Sequence, residues 1–179
     1  MSNRDKYLAS LDIGSSKICC IIASKDHHDI SKIIGLGYNE AKGISNGVIS
    51  DINAAISSIT TAISEAEKQA DLKINKINIS ASSKVVNTKL FNKKINIIDD
   101  RIKQEDIDES LNLVMQEPFF NQKQILHASP VGYAIDGANG IKNPVGMYGS
   151  NLEVEFIIST IGVNHYKNYI ECVTKCNVD

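Results

Sequence analysis

Five residues near the N-terminus carry the most specific chemistry in the chain. Asp12, Gly14, Ser15, Ser16 and Lys17 interrupt the apolar run YLASLDIGSSKICCIIAS, Tyr7 to Ser24. Glycine lets the backbone come close to a ligand. Consecutive turn N–H groups form a concave anion site, and the two hydroxyls add donors. Asp12 repels a phosphate directly but can hold a hydrated Mg²⁺ that itself sits on the phosphates. Lys17 adds a positive charge. The same residues also suit a plain hairpin turn with Asp12 capping it. The spacing is neither a GxxxxGK(S/T) loop nor a GxGxxG loop.

Such a turn needs strands to hold it. Tyr7 to Ile13 and Lys17 to Ser24 read as a hairpin around Gly14-Ser15-Ser16, and Asp29 to Tyr38 reads as a third strand. Asn39 to Gly47 is a glycine-rich loop. A long helix follows, capped by Ser50 or Asp51, with Ile52, Ala55, Ile56, Ile59, Ile63, Ala66 and Ala70 at helical spacing. Lys76 to Ala81 alternates as a strand does. Three antiparallel strands, a crossover helix and a fourth strand are therefore expected over the first eighty residues.

The grammar then changes. Val85 to Ile98 reads as a hairpin or one irregular strand around Asn92-Lys93-Lys94. Arg101 to Gln116 is an amphipathic helix whose first turn holds Glu105, Asp106 and Asp108, suiting the positive end of the helix. Gln124 to Asp136 and Leu152 to Val163 are two more strands, separated by a loop dense in turn formers. Asn164 to Cys176 closes the sequence as a helix. The core of this second part is expected from Ile95, Ile97, Ile102, Leu111, Val114, Ile125, Leu126, Val154, Phe156 and Ile158.

Composition bounds the function classes. The 179 residues are 42% hydrophobic and 22% charged, with a net charge of −2, which is ordinary for a globular protein and predicts no nucleic-acid binding. The apolar runs are far short of a membrane span and MSNRDKY is too polar for a signal peptide, so a cytoplasmic location is expected. The four cysteines then read as reduced, buried small apolar residues. The acidic cluster Glu105, Asp106, Asp108 and Glu109 reads as helix electrostatics. His127 reads as a partly buried strand residue, and His27-His28 as a solvated turn. Pro144, Val145 and Met147 are apolar for a loop; they pack on their own subdomain or present a contact surface.

The order hairpin, strand, helix, strand resembles the first subdomain of the actin, Hsp70 and sugar-kinase superfamily, in which LDIGSS or a close relative is the first phosphate motif. LASLDIGSSKICCIIA, GVISDINAAISSITTAISEAEKQADLKI and ILHASPVGYAIDGANGIKNPVGMYGSNLEVEFIIST together resemble the bacterial FtsA family, most specifically over Gly140 to Val154. The resemblance covers nearly the whole chain from about Leu8. It implies an α/β, actin-like (ribonuclease H-like) subdomain 1A over 1–84, a small α+β insert of SHS2 type, subdomain 1C, over 85–163, and a return to 1A over 164–179.

It further implies an ATP-binding structural component, not an enzyme, that links the FtsZ ring to the inner face of the membrane and recruits later division proteins. Asp12, Gly14, Ser15, Ser16 and Lys17 would contact ATP, with Asp12 on the Mg²⁺ side through water. Residues 85–163 would carry self-association and later-protein contacts, with Pro144, Val145 and Met147 as anchors. The sequence corresponds to an N-terminal part of the family. The second phosphate motif, the adenosine motif, the FtsZ-contacting subdomain and the membrane helix lie outside it, so weak ATP binding and exposed apolar surface are expected. Ser82-Ser83-Lys84-Val85 departs from the family's Ser-Gly-x-His and puts contacts of that histidine in doubt. A sugar or acetate kinase, or a pilus assembly protein of PilM kind, shares the superfamily; the Gly140 to Val154 loop disfavours both.

Overall fold

The computed structural model describes residues 7–25, 31–81 and 84–178, so the turn at His27-His28 and the Ser82-Ser83 pair lie outside the described residues. The chain divides into two compact units, residues 1–85 with 164–179, and residues 86–163.

Unit 1 is built on a four-stranded sheet. Strands β1 (Tyr7–Ile13), β2 (Lys17–Lys25) and β3 (Ser31–Glu40) run antiparallel, and β6 (Asn78–Ala81) pairs parallel to β1, giving the order β3-β2-β1-β6. Between β3 and β6 come a two-residue hairpin, β4 (Ile44–Ser45) and β5 (Val48–Ile49), and helix α1 (Ile52–Ala70). Asp51 caps α1, its carboxylate accepting from the N–H groups of Asn53 and Ala54 at 3.0 Å each. The buried helix face is Ala55, Ser58, Ile59, Ala62, Ile63, Ala66 and Glu67. Ile52, Ile56 and Ala70, expected on that face, flank it half-buried. Leu11, Ile13, Ile18, Cys20 and Ile22 lie on the sheet face that carries Gly35 and Gly37, and all are fully buried. A buried isoleucine of this kind contributes about 1.5–3 kcal/mol.

Two glycines set how close α1 lies. A Cβ on Gly37 would stand 1.8 Å from the Ala62 carbonyl oxygen, and one on Gly35 2.3 Å from that of Ala66. At that approach the next helical ridge reaches round the edge of the sheet. Gln69 Oε1 accepts from the Leu36 N–H at 2.5 Å and Glu65 Oε2 from the Tyr38 N–H at 3.1 Å. The opposite face of the same strands is exposed and partly apolar, with Leu8, Leu36 and Tyr38 each more than half exposed. Helix α3 (Val163–Thr174) returns to unit 1 and buries Tyr169, Cys172 and Val173.

Unit 2 is an antiparallel sheet of order β7-β10-β8-β9, from β7 (Asn87–Asn96), β8 (Lys123–Ile135), β9 (Ala138–Ile141) and β10 (Asn151–Gly162). Residues 85–98 thus hold one strand, not a hairpin. Along β10, Leu152, Val154, Phe156, Ile158 and Thr160 are fully buried, while Glu153 is exposed, the period of two that a one-sided sheet requires. Helix α2 (Gln104–Met115) adds Ile107 and Val114 to the core, and Ile97, Ile102, Phe120 and Ile135 complete it. Leu126, expected in this core, is 47% exposed. β10 pairs with β8 through register shifts at Glu155/Phe156 and Ser159/Thr160, so alternation along β8 does not map simply onto the core. His127, expected partly buried, is exposed for the same reason. The Asp106 carboxylate accepts from the Lys103 N–H at 2.7 Å, which gives the acidic first turn its structural use.

Candidate functional site

The turn between β1 and β2 projects from a rigid support. Ile13 and Ile18 pair across the hairpin and are fully buried. Beyond them Ser15, Ser16 and Lys17 are exposed at the tip. The Gly14 N–H donates to the Lys17 carbonyl at 3.0 Å, and a Cβ at Gly14 would press on that oxygen at 3.0 Å, so glycine keeps the turn tight. Asp12, one residue before the end of β1, is exposed, in register with Cys19 on one side and Ser80 of β6 on the other. The structure thus brings Asp12, Gly14, Ser15, Ser16 and Lys17 together at one end of the sheet.

Two further elements brace this turn. The Ser16 carbonyl accepts from the Ala41 N–H at 3.1 Å. Ser15 Oγ accepts from the Gly47 N–H at 2.8 Å, and the Gly47 carbonyl accepts from the Tyr169 hydroxyl at 2.7 Å. Gly47 has φ +72° beside Asn46 at +52°, the conformation of a two-residue hairpin turn. The Asn-Gly dipeptide was the available signal for that turn; nothing in the sequence pointed to Tyr169 as its partner.

The donor set suits an oxyanion: two exposed hydroxyls, an exposed ammonium and a turn whose glycine admits close backbone approach. It supplies one carboxylate, Asp12, for a cation. Among the described residues no three His, Cys, Asp or Glu side chains group as metal ligands. A magnesium ion here would keep most of its waters, as that ion ordinarily does. Burial pushes the Cys20 thiol up to about 12 and the Cys172 thiol up to about 11, so neither of these two offers a reactive thiolate. Cys19 and Cys176 are only half-buried, so the reading of all four as core residues holds for Cys20 and Cys172.

In unit 2 the segment 97–102 is zipped to the loop 146–150. Ile97 N–H donates to the Ser150 carbonyl at 2.9 Å, Gly149 N–H to Asp100 at 3.0 Å, Ile102 N–H to Met147 at 2.9 Å and Gly146 N–H to Ile102 at 2.8 Å. Val145 and Met147 are each 43% exposed. Pro144, expected at the surface with them, is buried, and its carbonyl accepts from the Met147 N–H at 3.0 Å. The sequence reading passed over two apolar neighbours of this surface, Tyr148 at 70% and Ile98 at 94% exposure. Arg101 fixes Tyr148, with its guanidinium 4.7 Å from the ring and Nη2 donating to the hydroxyl at 2.7 Å. Asp136 holds the far end of the loop, accepting from the N–H groups of Ser150 at 3.1 Å and Asn151 at 2.9 Å. Those bonds hold its carboxyl below the usual range, Ser150 most of all.

A sheet of order β3-β2-β1-β6 with a crossover helix, broken by a separate α+β unit before its last helix, defines an actin-like protein carrying an insert. The solved PilM-PilN type IV pilus biogenesis complex has the same fold: TM-score 0.67 at 12% identity, over 98% of this chain and 46% of that one. Residues 84–160 match the SHS2 domain inserted in FtsA. The whole chain is similar to cell division protein FtsA of Buchnera aphidicola from Acyrthosiphon pisum, 34% identical over 99% of this chain and 43% of that protein. It is also similar to FtsA of Escherichia coli, 26% identical over 97% of this chain and 41% of that protein. Over nearly its whole length the chain is thus similar to FtsA cell division proteins, and it spans about two fifths of the length of these relatives.

Proposed function

We propose that this chain is the nucleotide- and partner-contacting part of an FtsA-type cell division component. Unit 1 corresponds to subdomain 1A in two pieces, and unit 2 to the inserted subdomain 1C. The observation that carries the nucleotide reading is the braced, exposed turn Gly14–Lys17 with Asp12 beside it, on a sheet of actin-like order. Ser15, Ser16 and Lys17 would hold the phosphates of ATP, and Asp12 would face Mg²⁺ through water. Bound nucleotide supplies charge for these donors to organise around, and it acts as a conformational ligand.

The test is calorimetry on a chain extended to the length of its relatives. Asp12→Ala is expected to weaken Mg-ATP binding about tenfold or more; unchanged affinity sinks the assignment.

Unit 2 would carry self-association and contacts with later division proteins through Val145 and Met147, widened by Tyr148 and Ile98. Linking the FtsZ ring to the membrane is proposed for the complete protein, at the inner face of the cell membrane. Met147→Lys is expected to reduce self-association in sedimentation experiments. An unchanged association constant would remove this loop from the contact surface.

A further inference from the structure

We propose that Tyr169 is a positioning residue for the Gly14–Lys17 turn, acting through Gly47 on the hydroxyl of Ser15. The proposal rests on the reading of that turn as a phosphate site.

Three elements far apart in sequence meet in one line of hydrogen bonds. Tyr169 on α3 is 4% exposed and its hydroxyl donates to the Gly47 carbonyl at 2.7 Å. Gly47, itself buried, gives its N–H to Ser15 Oγ at 2.8 Å. A serine hydroxyl has one proton to donate and two lone pairs to accept with. With one lone pair held by Gly47, the proton of Ser15 turns away from the β4–β5 hairpin and is left for another acceptor. The arrangement therefore does more than brace the turn: it fixes which way Ser15 donates. An oxyanion at the tip meets an oriented donor, and no rotor has to be frozen when the ligand arrives, which is the advantage of preorganisation.

The bland alternative is that Tyr169 only anchors α3. The two differ in what Tyr169→Phe does, since that change deletes one hydroxyl and keeps the buried ring. Positioning predicts an effect at Ser15–Lys17; anchoring predicts one confined to α3 and the Gly47 peptide. The experiment uses the 179-residue chain, labelled with ¹⁵N, with Tyr169→Phe, Ser15→Ala, Ser15→Thr and the Tyr169→Phe/Ser15→Ala pair. Expected are shifted amide signals for Ser15, Ser16 and Lys17 in Tyr169→Phe, with amide exchange of Gly47 raised about tenfold in both Tyr169→Phe and Ser15→Ala. Ser15→Thr, which keeps the acceptor, restores the Gly47 protection. In Mg-ATP titrations on the chain extended to the length of its relatives, Tyr169→Phe weakens binding about threefold, and the pair is no weaker than Ser15→Ala. Turn amides that coincide with the parent chain in Tyr169→Phe overturn the proposal, as does a shift without any change in Mg-ATP affinity. An extended parent chain that binds no Mg-ATP overturns the phosphate reading instead, and the amide signals still decide whether Tyr169 orients the turn.

Discussion

The two sheets of this chain solve burial in opposite ways. The unit 2 sheet is one-sided: Leu152, Val154, Phe156 and Ile158 point into a core of large side chains, and Glu153 faces out opposite Lys94. The unit 1 sheet is apolar on both faces. Leu11, Ile13, Ile18 and Ile22 are buried under α1, while Leu8, Leu36 and Tyr38 on the other face stay exposed. A one-sided sheet is complete once one helix and a few aromatic rings cover it. A two-sided sheet is what α/β folds with helices on both faces require. The difference is one of degree: the outer face of unit 2 sets charge, Glu153 opposite Lys94, beside exposed Leu90, whereas that of unit 1 is apolar at Leu8, Leu36 and Tyr38.

That contrast can be broken at its cores. Phe156→Ala removes the largest fully buried side chain of unit 2 and is expected to cost about 3–5 kcal/mol. A unit of this size has little to spare. Amide signals of 86–163 should collapse while those of α1 persist; loss of both together would show that the units do not unfold independently. In unit 1 the equivalent weak point is a contact, not a side chain. Gly37→Ala drives a Cβ into the Ala62 carbonyl and is expected to cost about 3 kcal/mol, the upper end for overpacking. Chemical denaturation should lose the unit 1 transition first. An unchanged midpoint would mean that α1 lifts off the sheet at no cost.

Smaller effects sharpen the comparison. Asp51→Ala deletes the cap of α1 and is expected to cost about 1 kcal/mol, read as a drop in the denaturation midpoint of unit 1 alone. Smallest is Asp136 of unit 2. Its folded carboxyl lies below the ordinary value because of the Ser150 and Asn151 donors. The charged form is therefore the favoured one in the fold. Its contribution is complete above the ordinary carboxyl pKa and is lost as pH falls through the lowered value. Asp136→Asn should flatten the acid limb of the stability–pH curve of unit 2 slightly, since the group is exposed. A curve that keeps its slope would refute the role.

Much of this was legible in the sequence. The hairpin, the crossover helix and the strand after it followed from period and turn residues, and the five residues of the turn were picked out by type. What was missed had specific causes. The hairpins at Asn46-Gly47 and Asp136-Gly137 hide inside stretches dense in turn formers, although both dipeptides favour the positive φ of such turns. Alternation alone places Leu126 in a core because a register shift is invisible in an alternating string. Pro144 was expected outside with Val145 and Met147, yet the turn folds it inward. Tyr169 could not be found at all, since its partner is a backbone carbonyl more than a hundred residues away.

The close seating of α1 on Gly35 and Gly37 has a consequence for how the molecule meets its own kind. β3 is an edge strand, and an edge strand ordinarily offers its free N–H groups to any passing strand. Here Glu65 and Gln69 have already taken two of those donors, at Tyr38 and Leu36. The other sheet ends in β7, with exposed Lys89 and Lys94 on it, a charge-based way of discouraging the same event. Two of the four edges, β3 and β7, are thus blunted against strand addition, one by hydrogen bonds and one by lysines. For a chain that also exposes an apolar sheet face, this discourages the open-ended edge-to-edge pairing that leads to fibres at those two strands.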